Sequence, residues 1–366
     1  LAACNDVGCV RLVEMMDEFD LENLDDLATY IIENSRRAVL GEIAKLPQGR
    51  YRNSMTIDGY DQPVELVATM DITTESVTVD YDGTSLMSRF GINVPMAYTT
   101  AYTCFGLSCA ISPEVPNNAG SLSAFHVSAP EKSILNAPYP AAVCARHIIG
   151  QMLPDVVFGC LEKVVPERVP SEGASSLWNM TFRGETDRGA NDAAIFTITA
   201  VTNGGTGARS IKDGLSGTAY PSGVKGTPIE IVEMIAPVIF HKKELRPDSG
   251  GIGANRGGLG QVLEVESAIG VDIELLAAFD RIDHPARGRN GGGSGAAGAI
   301  FLASGRKLKG KGTQLIAAGE HLVLHTPGGG GHGEAAARPR DKVAQDLRDD
   351  LVSERAAREH YGWSEN

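Results

Sequence analysis

The sequence predicts an α+β protein: N-terminal helices, then a strand-rich mixed body with Gly-rich loops, then a C-terminal helix. Three observations lead there. Apolar residues recur at helical spacing as far as Leu46, and beyond it the pattern shifts towards strand-like alternation. Helices and strands then come in blocks, not in strict βαβ order. Glycine supplies 43 of 366 residues without a Gly-X-Y period, which calls for many tight turns or backbone-lined sites. Residues 1–175 form the helix-rich part of one domain and residues 176–366 its strand-rich part.

Each element has its own signal. Val10, Val13, Met16 and Phe19 share a face of a first helix over Val7–Phe19. Leu24, Leu27, Ile31, Val39, Ile43 and Leu46 do so in a second, which Pro47-Gln48-Gly49 stops. Residues 64–72 and 76–81 alternate and read as an antiparallel pair, the second ending at the turn dipeptide Asp82-Gly83. Residues 97–111 are small and apolar, a buried helix ending before Pro113. Residues 147–165 form another helix, kinked or restarted at Pro154. Strands are expected at 195–201, 229–241, 261–266, 271–277, 299–303 and 320–325. Residues 341–361 are a charged helix with Val343, Leu347, Leu351 and Ala357 on one face.

Composition narrows the function. The net charge is −13, which disfavours a nucleic-acid backbone binder. No apolar run approaches the ~18 residues of a membrane span. The opening LAACNDVGCVRL has no basic n-region of a signal peptide and no initiator Met, so a truncated N-terminus is expected. Six cysteines with no CxxC read as reduced, mostly buried thiols of a cytoplasmic protein.

Four glycine loops stand out: 203–209, 250–260, 290–295 and 327–333. The GxGxxG of Gly293, Gly295 and Gly298 lacks the strand before and helix after that a dinucleotide site needs. A near P-loop at Gly305–Lys311 has Gly312 where Ser or Thr should hold magnesium, and reads as an exposed basic hairpin. His321 and His325 lie on a strand about 13 Å apart and cannot share a metal. His126 and His241 read as core or edge histidines, and His332 as a turn residue or a substrate neighbour. His147 opens a helix, where an imidazole stays neutral and anions are favoured; it either lines a site or is a local feature. These residues alone define a backbone-rich α+β protein and no metal site.

Several motifs in order carry a resemblance. They are Val79-Asp-Tyr-Asp-Gly-Thr-Ser85, Gly91-Ile-Asn-Val-Pro95, Pro116-Asn-Asn-Ala-Gly120 and Leu135-Asn-Ala-Pro-Tyr-Pro-Ala-Ala-Val143. Pro166–Pro170, Gly204–Arg209 with Asp213-Gly214, Glu244–Gly251, Arg256–Gly260 and Thr326–Gly331 follow, then the C-terminal helix with Tyr361-Gly362. Together they resemble the hydantoinase B/oxoprolinase family over nearly the whole chain. The resemblance implies a subunit of an ATP-dependent cyclic-amide hydrolase opening a hydantoin or 5-oxoproline ring. Its partner would be a hydantoinase A-type subunit that binds ATP and phosphorylates the substrate oxygen. It also implies a divalent metal whose ligands are expected upstream of this fragment, leaving the fragment inactive alone. An acetone- or acetophenone-type carboxylase subunit acting on a ketone, and a non-catalytic scaffold, are the alternatives.

Attack on such an activated amide passes through oxyanions that glycine-loop amides can stabilise. Gly204, Gly205 and Thr206 are therefore assigned to substrate binding, with Arg209 holding a carboxylate or phosphate. Arg209 and Asp213 either act in catalysis or merely staple the loop as an ion pair. Asn93 and Asn117 either orient substrate or belong to turns. The Gly204–Arg209 loop, Asn93 and His147 are expected to meet in one cleft, His147 within about 15 Å of the loop. An exposed apolar patch is expected over Leu12–Leu46.

Overall fold

The structure, a computed structural model, describes residues 1–186, 195–218 and 220–364. Helix α1 (Ala2–Glu18) buries none of its residues, and Val7, Val10, Val13 and Phe19 all face solvent. Helix α2 (Asp25–Ile43) buries only Ser35, Val39 and Ile43 at its C-terminal end. The apolar patch expected over Leu12–Leu46 is present only as far as Ile31: Leu12, Leu27, Tyr30 and Ile31 are exposed, whereas Val39, Ile43 and Leu46 enter the core.

Three strands follow: β1 (Gly49–Ile57), β2 (Val64–Ile72) and β3 (Val77–Asp80). The expected β2–β3 pair is antiparallel as read. Strand β1 has no counterpart in the sequence reading; it pairs with β2 along its whole length, Gly49 opposite Ile72 and Ile57 opposite Val64. Helix α3 (Met96–Ile111) and a single turn α4 (Ala119–Leu122), capped by Asn118, lead to β4 (Phe125–Ser128). Strand β4 joins β3 in parallel and completes the sheet.

Pro154 marks a restart: it sits in the first turn of α6 (Leu153–Leu161), after the separate turn α5 (His147–Gly150). Every residue of α6 is buried. It packs on β1, β2 and α3, and a methyl at Gly106 of α3 would sit 2.7 Å from Val157 Cγ2. The amide of Asn53 on β1 donates to the Val156 carbonyl (2.9 Å). This is a side-chain core in the ordinary sense, running from Val39 to Val169.

A second core lies between two further sheets. Strands β5 (Trp178–Glu185) and β6 (Ile195–Thr202) precede α7 (Ile229–Ile235) and β7 (Val238–Leu245). The expected strand 229–241 is thus half helix. Its apolar residues satisfy both periods, and Pro228, with its fixed φ and missing N–H, suits a helix start. Then come β8 (Gln261–Ser267), β9 (Ile273–Ala278), β10 (Ala299–Leu302), β11 (Lys311–Ile316) and β12 (Leu322–His325). They form sheets of order β10-β12-β8-β7 and β11-β9-β5-β6. Leu263, Val265, Leu322 and Leu324 of the first share a core with Phe182, Ile273 and Leu275 of the second. The indole of Trp178 stacks on Phe279 there (4.4 Å) and donates to the Asp280 carbonyl.

The C-terminal helix is two, α8 (Arg340–Arg348) and α9 (Glu354–Tyr361). Asp350 takes a positive φ between them and Ser353 caps the second. The cysteines also differ from expectation: only Cys104 and Cys160 are buried, while Cys4, Cys9, Cys109 and Cys144 are exposed, all unpaired. Among the described residues no helix is long and apolar enough to cross a membrane.

Candidate functional site

Between the two cores the glycine loops lie against one another. Gly205 N donates to Pro327 O, Ala208 N to Gly330 O, Gly258 N to Thr206 O, Gly329 N to Gly258 O, and Gly331 N to Gly293 O. A methyl on Gly205 would overlap the Gly258 carbonyl, and one on Gly207 the Ser171 carbonyl. Neither residue has a positive φ. Glycine is needed here because chains pass too close for a Cβ, not for conformational freedom. The loop amides of Gly205, Thr206 and Ala208 are therefore committed to neighbouring carbonyls. That corrects their expected role as free oxyanion donors.

The layer is fastened from both sides. Below it Glu172 receives Arg281 Nη1 (3.1 Å) and Arg287 Nη2 (2.6 Å). Burial works to raise the Glu172 carboxyl, but the two guanidiniums hold it below the usual range. Asp155 accepts Ser175 Oγ (2.5 Å) and Gly173 N (3.0 Å), and burial pushes it up to about 6, Arg281 opposing only in part. Above it Asp213 accepts both Arg338 Nη1 (2.8 Å) and Nη2 (3.0 Å) and the Arg256 amide, while Arg338 also grips Asp346 of α8. Asp213, assigned to catalysis from sequence, instead docks the C-terminal helices; it does not pair with Arg209 either, whose guanidinium reaches only the Asp213 carbonyl (3.4 Å).

One cavity opens on this layer, of about 290 Å³. Thr206, Gly207 and Arg209 supply one wall; Pro170, Ser171 and Gly173 a second; Cys109 and Phe158 come from α3 and α6. Arg168, Leu215, Thr218 and Tyr220 complete it. Arg209 makes no ion pair among the described residues and stands exposed at the wall; the second cation, Arg168, faces Glu42 (3.8 Å) and Glu167 (3.9 Å). Burial raises the Tyr220 phenol well above its ordinary value, so it stays a hydrogen-bond donor. A mostly apolar hollow with a few polar groups and cations is suited to a small anionic ligand.

The other sequence-assigned residues lie elsewhere. Asn93 is enclosed, its side chain bonded to Ser88 N and O, Phe90 O and Ala142 O, so it shapes a turn. Asn117 is exposed beside Asn118, which is the residue that caps α4. Neither Asn93 nor His147 is in the cavity wall. His147 is held below its usual pKa by burial and by Arg146, and its Nε2 accepts from Asn179 Nδ2 (3.0 Å). Gly204 packs on Pro327 and Ala174, part of the layer.

A second hollow of about 270 Å³ holds residues the sequence reading passed over: Glu172, Arg281, His284 and Arg287. Asp58 binds the amides of Ile282 and His284 and the His284 ring (2.7 Å), fixing this loop to β1. The run Asp280-Arg-Ile-Asp-His-Pro-Ala-Arg-Gly-Arg289, dense in ionisable groups, was the available signal. The first hollow offers no carboxylate or histidine for the metal that the resemblance implies. The residues there do not fit one.

The hydantoinase B/oxoprolinase family model matches residues 1–335. The chain belongs to this family. It is 31% identical over 350 residues to 5-oxoprolinase 1 of Arabidopsis thaliana, covering 90% of this chain and 26% of that protein. It is 28% identical over 384 residues to caprolactamase subunit beta of Pseudomonas jessenii, covering 98% and 64%. The crystal structure of the ATP-dependent caprolactamase from that organism shares the α+β fold, with TM-score 0.82 at 23% identity over 99% of this chain and 65% of its own. A nucleotide-free acetone carboxylase structure gives TM-score 0.77 at 18% identity over 96% and 54%. The chain thus spans about a quarter of the length of that 5-oxoprolinase and just under two thirds of that caprolactamase subunit.

Proposed function

We propose that this chain is the B-type part of an ATP-dependent cyclic-amide hydrolase working with an ATP-binding, hydantoinase A-type partner. The observation that carries the reading is family membership, with 5-oxoprolinase and caprolactamase relatives whose names both denote lactams. The cavity supports it. Phe158, Pro170 and Leu215 exclude water from a small ring, Arg209 and Arg168 neutralise a carboxylate or transferred phosphate, and the Tyr220 hydroxyl donates to the ring oxygen. The exposed stripe of α1 and α2 fits the partner interface. The cavity supplies no ligand for the divalent metal of this reading, and no step is assigned to it.

The test is ATP-coupled turnover of 5-oxoproline, hydantoin and caprolactam by the full-length protein with its partner. Ring opening that requires ATP is expected, and Arg209→Ala should lower kcat/KM about tenfold to a hundredfold while leaving the fold intact. Bicarbonate-dependent consumption of a ketone, with no ring opening, would overturn the hydrolase reading in favour of a carboxylase.

A further inference from the structure

Away from the cavity, strands β7 and β8 and the entry of β12 bring two histidines and two glutamates together on the outer face of the sheet β10-β12-β8-β7. Leu263 and Val265 of β8 point into the core, so Glu264 and Glu266 stand outward. Strand β12 enters with Leu322 opposite Val265, which sets His321, the residue before it, abreast of Glu266. On the other side Phe240 of β7 pairs with Val265 and Lys242 with Glu264, so His241 is the extra residue of a β-bulge. Such a bulge re-aims a side chain.

The result is convergent. His241 Nε2 lies 2.9 Å from Glu266 Oε1, and His321 Nε2 lies 2.8 Å from Glu266 Oε2. The two rings stack in parallel (4.7 Å, 8°). A ligand atom from each of His241, Glu266 and His321 lies within 4.8 Å of the others. Glu264 adds an independent feature: its Oε1 lies 2.6 Å from His321 Nδ1. A carboxylate on the far nitrogen fixes the tautomer and turns the Nε2 lone pair towards the shared centre, as around metal-bound imidazoles.

We propose that His241, Glu266 and His321 bind a borderline divalent transition metal of the zinc class, with Glu264 as the positioning residue. Two imidazoles and one carboxylate favour Zn²⁺, Co²⁺ or Ni²⁺ over Mg²⁺ and Ca²⁺, which prefer oxygen cages. The half-exposed position leaves a coordination place for water. The metal fastens edge strand β7 to β8 and to the entry of β12.

The experiment is equilibrium dialysis of the chelator-stripped full-length chain against Zn²⁺ alone, repeated with excess Mg²⁺. Co²⁺ visible spectra and circular dichroism accompany it. His241→Ala and His321→Ala should each bind one Zn²⁺ fewer than the parent, lose the corresponding Co²⁺ band, and lose the Zn²⁺-dependent rise in Tm, with unchanged circular dichroism. Glu264→Gln should keep the stoichiometry and weaken that Zn²⁺ about tenfold or more. Equal Zn²⁺ stoichiometry and affinity in parent and both histidine variants would overturn the site. So would full displacement by Mg²⁺. If a histidine variant misfolds, Glu264→Gln decides alone: unchanged Zn²⁺ affinity in it also refutes the proposal.

Discussion

Around α6 water is excluded by side chains; in the glycine layer it is excluded by backbone. Within α6, Leu153, Val156, Val157, Phe158, Cys160 and Leu161 meet neighbours through their own apolar atoms. From Gly204 to Ala208 the contacts are largely carbonyls and amides of segments 171–174, 215–218, 256–260 and 327–331. The first region can shift a rotamer when volume changes. The second has no rotamer to shift, so the same added carbon meets peptide planes held on both sides. Two regions of one molecule therefore differ in tolerance for a physical reason that burial alone does not reveal.

The largest effect should come from the layer. Gly207→Ala and Gly329→Ala each place a methyl on a backbone carbonyl, Ser171 O and Thr206 O respectively. Each should lose about 4 kcal/mol or more in urea unfolding, or fail to yield soluble protein. A loss below about 1 kcal/mol would break the comparison. Next, Leu161→Ala in the side-chain core should cost about 2–5 kcal/mol, while Leu161→Met should stay below about 1.5 kcal/mol.

A third effect is a slope with pH. Asp155 is pushed up to about 6 from 3.8, so between these values the folded state holds the proton that the unfolded chain releases. Its contribution to stability is full at low pH, falls as pH rises through this window, and is flat above it. Asp155→Asn should therefore gain on the parent as pH goes from about 4 to about 6, read from urea midpoints. A constant difference would refute the assignment. The smallest effect should have the opposite sign to the first. Gly41, inside α2, has open space on the side where a methyl would stand, with nothing within 4 Å. Gly41→Ala should raise stability by up to about 1 kcal/mol, checked by the same unfolding curves.

Periodicity made much of the fold legible. Strands β2, β3, β8 and β12, and helices α3 and α6, lie where alternation or helical spacing placed them. It failed at α7, where one apolar pattern fits both periods and Pro228 decides. The abundance of glycine was visible too, but not its purpose, because a sequence does not show which distant carbonyl a glycine must admit. Of the cavity, the segment around Thr206 and Arg209 was legible from its composition. Cys109, Phe158, Arg168 and Tyr220 were not: each is ordinary in its own segment, and only folding makes them neighbours. His321 was weighed only against His325 on its own strand, whereas its companions come from β7 and β8.

The glycine layer also orders events in time. The Ser171 hydroxyl donates to the Gly331 carbonyl, 160 positions later, and Gly330 N reaches back to Glu172. A chain emerging N-terminus first can assemble the core around α6 while it is being synthesised, since those contacts end near Val169. Segments 170–174 and 204–208 must wait until residues 327–331 leave the ribosome. Closing loops of that length is slow, and exposed edges meanwhile invite wrong pairings. The cavity wall is thus among the last surfaces to form, and nascent chains released before residue 331 should present no ligand-ready hollow.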